Sequence, residues 1–416
     1  MIQRRNFLAG AAAAGAALTL PFERVLAAAA EALKPIPIPP PISSAERLTR
    51  IAKAQRLMHQ NGIGAVIVES GPSLDYFTGV QWWRSERLTG AVIPASGQPI
   101  IVTPFFERPS VAESLSIPAE IRTWNEDEEP LKLVADFLRE RRVASQPIGF
   151  EETDRFFILD RLRQQLPGMR DVSANPVVRG CRMIKSRHEL QLMQAANDIM
   201  LSSLRYAAAR TKEGMTPADI DALIAAAQKR LGGSYDGGLV LLGEASAYPH
   251  GSHKPQHVKG GEIVLMDCTC SVHGYQADIT RTYVFGARAT PEQRKVWDQV
   301  RRGQEIAIRA AKVGVPAGAV DDAVRAAYTS WGYGPGYKLP GLSHRTGHGI
   351  GMEVHEPVYL VHGERTPLAP GMCFSDEPGI YIPGKFGVRL EDCWHMTESG
   401  PKFFTQPPPS IDRPFG

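Results

Sequence analysis

The 416-residue chain carries only five cysteines, an odd number without the spacing of a disulfide framework. A small secreted domain stapled by disulfides is thereby excluded. Basic stripes are also missing. The formal net charge of +3 includes Arg4, Arg5 and Arg24 at the extreme N-terminus, and without that segment the body is close to neutral. Nucleic acid is therefore set aside as a partner. No self-similarity at a solenoid period is present. No second CxxC or CxC pair accompanies Cys268 and Cys270, so nothing completes a thiolate zinc site. What is there, 43% hydrophobic and 22% charged residues, is the composition of an ordinary globular protein of two or three domains.

The N-terminus reads "MIQRRNFLAGAAAAGAALTLP". A charged start with Arg4 and Arg5 leads into a short apolar run, and the small-residue tract "LAAAAEA" follows. The run is too short to span a membrane comfortably and is closely followed by proline and charges. Residues 1–32 are expected to be a removable export signal, similar to the twin-arginine (Tat) type. Gln3 stands where Ser or Thr is usual, and Ala9 where Lys is common. No cysteine near the cleavage region supports a lipid anchor. Unpaired cysteines suit a chain that folds in the cytoplasm before transport. The expected destination is the periplasm or the exterior, with no stable membrane span once the signal is gone.

"KPIPIPPPIS" makes residues 33–45 a proline-rich tether. From 46 to 180 the pattern is α/β. Leu48, Ile51, Gln55 and Met58 recur near helical spacing, Asn61-Gly62 ends that helix, and "AVIVES", "AVIPA" and "PIIVTP" read as strands. Leu131, Val134 and Leu138 mark another amphipathic helix. From 181 to 416 the pattern is mixed α+β. Ser186 with Glu189 is a capping box, and Thr216-Pro217 and Thr290-Pro291 are helix starts with proline at the first position. "GLVLLG", "EIVLMDC" and "YQADITRTYVFG" are strand-like.

The stretch "LMDCTCSVHGYQADITRTYVFG" offers two ligand chemistries, thiols at Cys268 and Cys270 or carboxylates at Asp267 and Asp278. On adjacent antiparallel strands the two aspartates, eleven residues apart, converge on one face, where they repel unless a cation neutralises them. Alone, the pair serves chemistry or structure equally well. Strand alternation turns Cys268 and Cys270 away from Asp267 and Thr269, into the layer behind. "HRTGHGIGMEVHEP" then concentrates His344, His348 and His355 among glycines, which suggest backbone passing close to something bound. Glu377 precedes a Pro-Gly turn, and Glu391 sits in strand-like "VRLEDCW". Asp267, Asp278, Glu377, Glu391 and His348 together suit two divalent ions, with Mn2+ favoured and Zn2+, Co2+ or Fe2+ also compatible. Four carboxylates balance two dications.

At this point "GYQADITRT", "HRTGHGIGMEVHE", "SDEPGIYIPG" and "GVRLED" resemble the pita-bread metallopeptidases: aminopeptidase P, prolidase, methionine aminopeptidase and the metal-free relative creatinase. "FTGV" and "IKSRHEL" look like their counterparts too. The resemblance covers nearly the whole mature chain and implies an α/β N-terminal creatinase-like domain followed by an α+β pita-bread catalytic domain. It implies that Asp267 and Glu377 each serve one metal, that Asp278 and Glu391 bridge both, and that His348 completes the second. His250 matches a substrate-contacting histidine and His355 one that stabilises the oxyanion, while Glu377 moves the proton. His344, Tyr381 and Arg389 match surrounding or substrate-binding positions. His253, His257 and His273 have no counterpart and are expected at the surface.

"GVQWWRSERLTG" is either a packing loop or, as the resemblance suggests, a segment reaching a neighbouring subunit's site, with Trp83, Arg84 or Glu86 touching substrate. The implied protein is an Xaa-Pro aminopeptidase or dipeptidase acting on small peptides with proline second, as a homodimer or homotetramer. Alternatives on the same fold are a creatinase-like or lyase-type small-molecule enzyme and a peptide-binding pseudoenzyme.

Overall fold

The computed structural model describes residues 33–416, so the expected export signal over 1–32 lies outside the described residues. The described chain forms two compact units, 40–184 and 33–39 with 185–416.

In the first unit, helix α1 (Ser44–Asn61) opens on a capping box between Ser43 and Glu46 and stops at Gly62, whose φ of 65° suits glycine. Five further helices follow in chain order: α2 (Pro72–Thr78), α3 (Arg108–Ser114), α4 (Pro130–Glu140), α5 (Phe156–Gln165) and α6 (Asn175–Arg182). They surround a six-stranded sheet of β1 (Ala65–Glu69), β2 (Gly90–Pro94), β3 (Ile100–Pro104), β4 (Glu120–Trp124), β5 (Ile148–Phe150) and β6 (Asp171–Ser173), in the order β4-β3-β2-β1-β5-β6. β1 pairs antiparallel with β2 and parallel with β5. Its residues are buried on both faces, which is why "AVIVE" reads as a continuous apolar run rather than an alternation. Leu131, Val134, Phe137 and Leu138 of α4 pack with Ile67, Val92 and Val102 in one core. Each such side chain contributes about 1.5–3 kcal/mol by leaving water. α6 runs across residues 180 and 181, and the units divide between Ile184 and Lys185.

The second unit opens with α7 (Arg187–Ala208) and α8 (Pro217–Leu231), capped by Ser186 with Glu189 and by Thr216 with Asp219. A three-stranded antiparallel sheet follows: β7 (Ser234–Leu242), β8 (Ile263–Val272) and β9 (Tyr275–Val284). The β8–β9 hairpin turns on His273-Gly274, both at positive φ (49° and 82°), the conformation of a two-residue type I′ turn. That turn fixes the register. Asp267 lies opposite Thr280 and Thr269 opposite Asp278, so all four share one face. Cys268 and Cys270 occupy the other face and are fully buried. Behind them, Gln228 of α8 donates to the Thr269 carbonyl at 2.9 Å and Tyr275 donates to Glu189 of α7 at 2.8 Å.

Helices α9 (Pro291–Ala310) and α10 (Gly318–Ser330) precede a five-stranded sheet, β11-β10-β12-β15-β16. Its members are β10 (Gly347–Gly349), β11 (Glu356–Leu360), β12 (Cys373–Asp376), β15 (Asp392–Thr397) and β16 (Gly400–Phe403), with a separate hairpin of β13 (Gly379–Ile382) and β14 (Phe386–Arg389). Two expectations need correction here. The glycines of β10 approach neighbouring strands: a Cβ on Gly347 would lie 2.3 Å from the Ser375 carbonyl oxygen, and one on Gly349 2.4 Å from that of Glu356. Their smallness therefore lets three strands close up. Glu391 is not inside a strand either. Leu390-Glu391 falls between β14 and β15, where the chain crosses from hairpin to sheet. The Glu391 backbone exchanges hydrogen bonds with Thr280 of β9 at 3.1 and 3.3 Å, which leaves its carboxylate free to turn inward.

Candidate metal centre

The two sheets bring His348 of β10 against Asp278 of β9, with Glu391 at the crossover. Asp278, His348 and Glu391 each offer a ligand atom, and these atoms lie within 4.8 Å of one another, all buried. Glu377, just after β12, joins them with Oε1 3.3 Å from His348 Nε2, while Asp278 Oδ2 and Glu391 Oε1 stand at 3.8 and 3.9 Å. His348 Nδ1 faces the Gly349 carbonyl at 3.1 Å, and that acceptor assigns the ring proton to Nδ1. Nε2 therefore presents a lone pair to three carboxylates. Burial pushes His348 well below the ordinary histidine range, and the charge of His355 adds to this. It pushes Asp278 and Glu391 well above the carboxylate range, and Glu377 up to about 8. Asp278 Oδ1 and Glu391 Oε1 are buried without any hydrogen-bond partner. A ring of lone pairs with unpartnered oxygens is what a divalent cation requires, so the residues present fit the implied metal.

Supporting groups hold these ligands. Thr280 donates to Glu391 Oε2 at 2.7 Å. The Ser375 hydroxyl accepts from the His348 amide at 3.0 Å and donates to Glu377 at 3.4 Å. Cys393 Sγ receives the Asp278 amide at 3.4 Å and donates to the Asp278 carbonyl at 3.2 Å. Sequence reasoning passed over Thr280 and Ser375, although spacing was an available signal: Thr280 sits two residues from Asp278 on the same face of β9, and Ser375 lies in β12 two residues before Glu377.

Asp267 lines the same cavity, of about 700 Å³, and its carboxylate is held by Arg389 Nη2. Arg389 also donates to the Pro249 carbonyl (3.2 Å) and to Tyr381 Oη (2.8 Å). Tyr381 in turn donates to His344 Nε2 at 2.7 Å, because His344 Nδ1 gives its proton to the Arg345 carbonyl at 2.8 Å. Burial and the charge of Arg389 hold His344 down to about 3, so it is a neutral imidazole of fixed tautomer. Tyr381 is fully buried and reaches the cavity only through these two partners. His250 and His355 line the cavity from its exposed side, and the His355 ring meets that of His348 edge-on at 4.3 Å. His253, His257 and His273 are exposed. Trp83 and Arg84 belong to the 40–184 unit. Trp83 is 72% exposed and stacks on Trp82, while Arg84 donates to the Ser70 carbonyl at 3.2 Å beside Glu69.

Residues 191–398 match the metallopeptidase family M24, and residues 50–184 match the creatinase/prolidase N-terminal domain. The chain belongs to metallopeptidase family M24. It is a hydrolase of pita-bread fold with a creatinase-type N-terminal domain, and enzymes of family M24 use divalent metals. Residues 1–21 match the twin-arginine translocation signal. Among its M24 relatives is the probable dipeptidase PepE of Mycobacterium tuberculosis (strain ATCC 25618 / H37Rv), 33% identical over 84% of this chain and 92% of that one. The Xaa-Pro dipeptidase of Lactobacillus delbrueckii subsp. lactis is 30% identical over 85% and 95%. The crystal structure of dipeptidase PepE from Mycobacterium ulcerans superposes with a TM-score of 0.80 at 32% identity, covering 89% of this chain and 98% of that one.

Proposed function

We propose that this M24 enzyme is an exported, dinuclear metal-dependent peptidase that hydrolyses Xaa-Pro bonds. The observation that carries the reading is the lone pair of His348 Nε2 facing the carboxylates of Asp278, Glu377 and Glu391, two of whose oxygens have no partner. Asp278, His348, Glu377 and Glu391, with Asp267 beside them, would hold the ions. Bound there, two divalent ions would supply Lewis acidity toward the scissile carbonyl and acidify a water at neutral pH. Glu377, at the cavity wall, takes the proton of the attacking water and returns it to the departing nitrogen. His355 and His250, on the open side, donate to the developing oxyanion. The Arg389–Tyr381–His344 chain keeps the wall rigid and holds the Asp267 carboxylate in place. An Xaa-Pro nitrogen carries no N–H, so a site that places its donors on the carbonyl rather than the leaving amide suits that bond.

The test is hydrolysis of an Xaa-Pro dipeptide and an Xaa-Pro-Xaa tripeptide by chelator-stripped protein, with Mn2+, Zn2+, Co2+ or Fe2+ restored. Activity that returns with metal and disappears in His348→Ala supports the reading. No hydrolysis with any of the four, and no metal on elemental analysis, overturns it. Export rests on Arg4 and Arg5, and fractionation of cells expressing the Arg4→Lys, Arg5→Lys double variant checks it: retention in the cytoplasm is expected.

A further inference from the structure

His355 lines the cavity from its exposed side, and its ring makes no hydrogen bond to any described residue. Its place is set by the chain that carries it. Residues 350–355 connect β10 to β11, and one side chain ties that connection together. Glu356 Oε1 accepts the amides of Met352 and Glu353 at 2.9 and 3.2 Å, while Oε2 accepts Lys185 Nζ at 3.0 Å. The backbone is pinned at both partners. The Gln276 amide of β9 donates to the Gly351 carbonyl at 2.8 Å, and the Lys185 amide donates to the Gly371 carbonyl at 2.9 Å. Gly351 lets the ion pair lie against the turn: a Cβ there would come 2.7 and 2.8 Å from the two Glu356 oxygens and 2.8 Å from Lys185 Cε.

The Lys185 and Glu356 side chains are only 3% and 4% exposed. So deeply buried a pair adds little net stability, because desolvating both charges offsets their attraction. What it secures is geometry. A carboxylate that accepts two amides fixes the backbone of Met352 and Glu353, and those bonds are strong because the acceptor is charged. Lys185 keeps that charge in a dry interior, where a lone carboxylate is costly. Glu356 follows His355 directly, so the chain is fixed on both sides of the histidine. Residues 352 and 353 are held by the carboxylate, and residue 356 by its place in β11. Val354 and His355 bridge the gap along the cavity wall.

We infer that Glu356, neutralised by Lys185, is the positioning residue for His355: its carboxylate ties down the amides of Met352 and Glu353, and the turn so closed presents the imidazole to the developing oxyanion. The inference rests on the oxyanion role given to His355 above. Neither Glu356 nor Lys185 touches the reacting atoms, and both act through the turn.

The experiment uses the full chain with Mn2+ and an Xaa-Pro dipeptide. Two paired variants remove both charges and leave neither unpaired. Lys185→Met with Glu356→Leu loses the acceptor of the two amides, and Lys185→Met with Glu356→Gln keeps it. The Leu pair should lose about 100-fold in kcat, the cost of a displacement of about 1 Å, with KM changed by less than about threefold. The Gln pair should stay near wild type. In a His355→Ala background the Leu pair should cost almost nothing further. An equal cost in both backgrounds, or full kcat in the Leu pair, overturns the inference. Amide hydrogen exchange on metal-free protein gives a readout without turnover. In wild type the Met352 and Glu353 amides should exchange about 10- to 100-fold more slowly than those of Val354 and His355, which have no acceptor among the described residues. Equal rates overturn the inference even where the Leu pair does not fold. If wild type hydrolyses no Xaa-Pro peptide, the Xaa-Pro reading fails and exchange alone decides the turn. Protection lost in the Leu pair and kept in the Gln pair then retains Glu356 as the tie, and protection unchanged in the Leu pair removes it.

Discussion

Asp278→Asn should make the metal-free protein more stable while abolishing its response to metal. Asp278 and Glu391 place carboxylate oxygens within 4.8 Å of each other, and Asp278 Oδ1 and Glu391 Oε1 have no hydrogen-bond partner. Two unit charges at that separation repel by about 3 kcal/mol at an effective dielectric constant of 20. Proton sharing within the group lowers the relief, so about 1–3 kcal/mol is expected at pH 8, a rise in Tm of about 2–12 °C for a domain of this size. The pH dependence has a definite sign. Burial first, then the charges of Asp267 and Glu377, raise Asp278 above its ordinary value. The folded state then holds a proton that the unfolded state releases above about pH 4, so metal-free wild type loses stability as pH rises beyond that point. Asn lacks this dependence. The gap between variant and wild type should open with rising pH and close below about pH 4. With Mn2+ at a hundred times its Kd, wild type gains about 2.7 kcal/mol, and the variant should gain far less. Thermal unfolding of stripped protein from pH 4 to 8, with and without Mn2+, measures all of this. A metal-free variant less stable than wild type at pH 8, or an undiminished metal response, refutes the reasoning.

Arg281→Met should destabilise strongly, because Arg281 and Asp392 form an ion pair at 2.6 Å with both side chains fully buried. Leaving Asp392 uncompensated costs about 3–5 kcal/mol, and the Arg281→Met, Asp392→Asn double variant should recover part of it in denaturant unfolding. Gly347→Ala should displace β10 from β12, since its Cβ would meet the Ser375 carbonyl oxygen at 2.3 Å, a backbone atom that cannot swing aside. About 1–3 kcal/mol of stability should be lost together with Mn2+ affinity, measured by unfolding and by metal titration. Unchanged metal affinity would dissociate β10 from the site.

Local chemistry made part of this molecule legible. Ser186 with Glu189, Thr216-Pro217 and Thr290-Pro291 start helices where their side chains satisfy orphan amides, and that accounting involves neighbours in sequence. The spacing of Asp267 and Asp278 was readable for the same reason, because a two-residue hairpin fixes which residues share a face. Strand parity likewise turns Cys268 and Cys270 away from the cavity. Glu391 reads as mid-strand in the sequence but lies at the crossover between β14 and β15. Apolar neighbours look alike within a strand and at a buried crossover, and only the pairing with Thr280, remote in sequence, tells them apart.

The arginines show why the remaining part of the site was not legible. Arg281 and Arg389 lie in similar strand-like contexts, "DITRTY" and "GVRLED", and both are fully buried. One closes a structural ion pair with Asp392, and the other holds Asp267 and the phenol of Tyr381. Arg345, beside a candidate ligand histidine in "HRTGHG", looks like the residue most certain to be paired, and it has no carboxylate partner among the described residues. Partnership is decided by which strands the sheets bring together, and no local pattern encodes that. Once the sheets are assembled, the charges can be assigned one by one: Arg281 to Asp392, Arg389 to Asp267, and Arg345 to the ring of Tyr359.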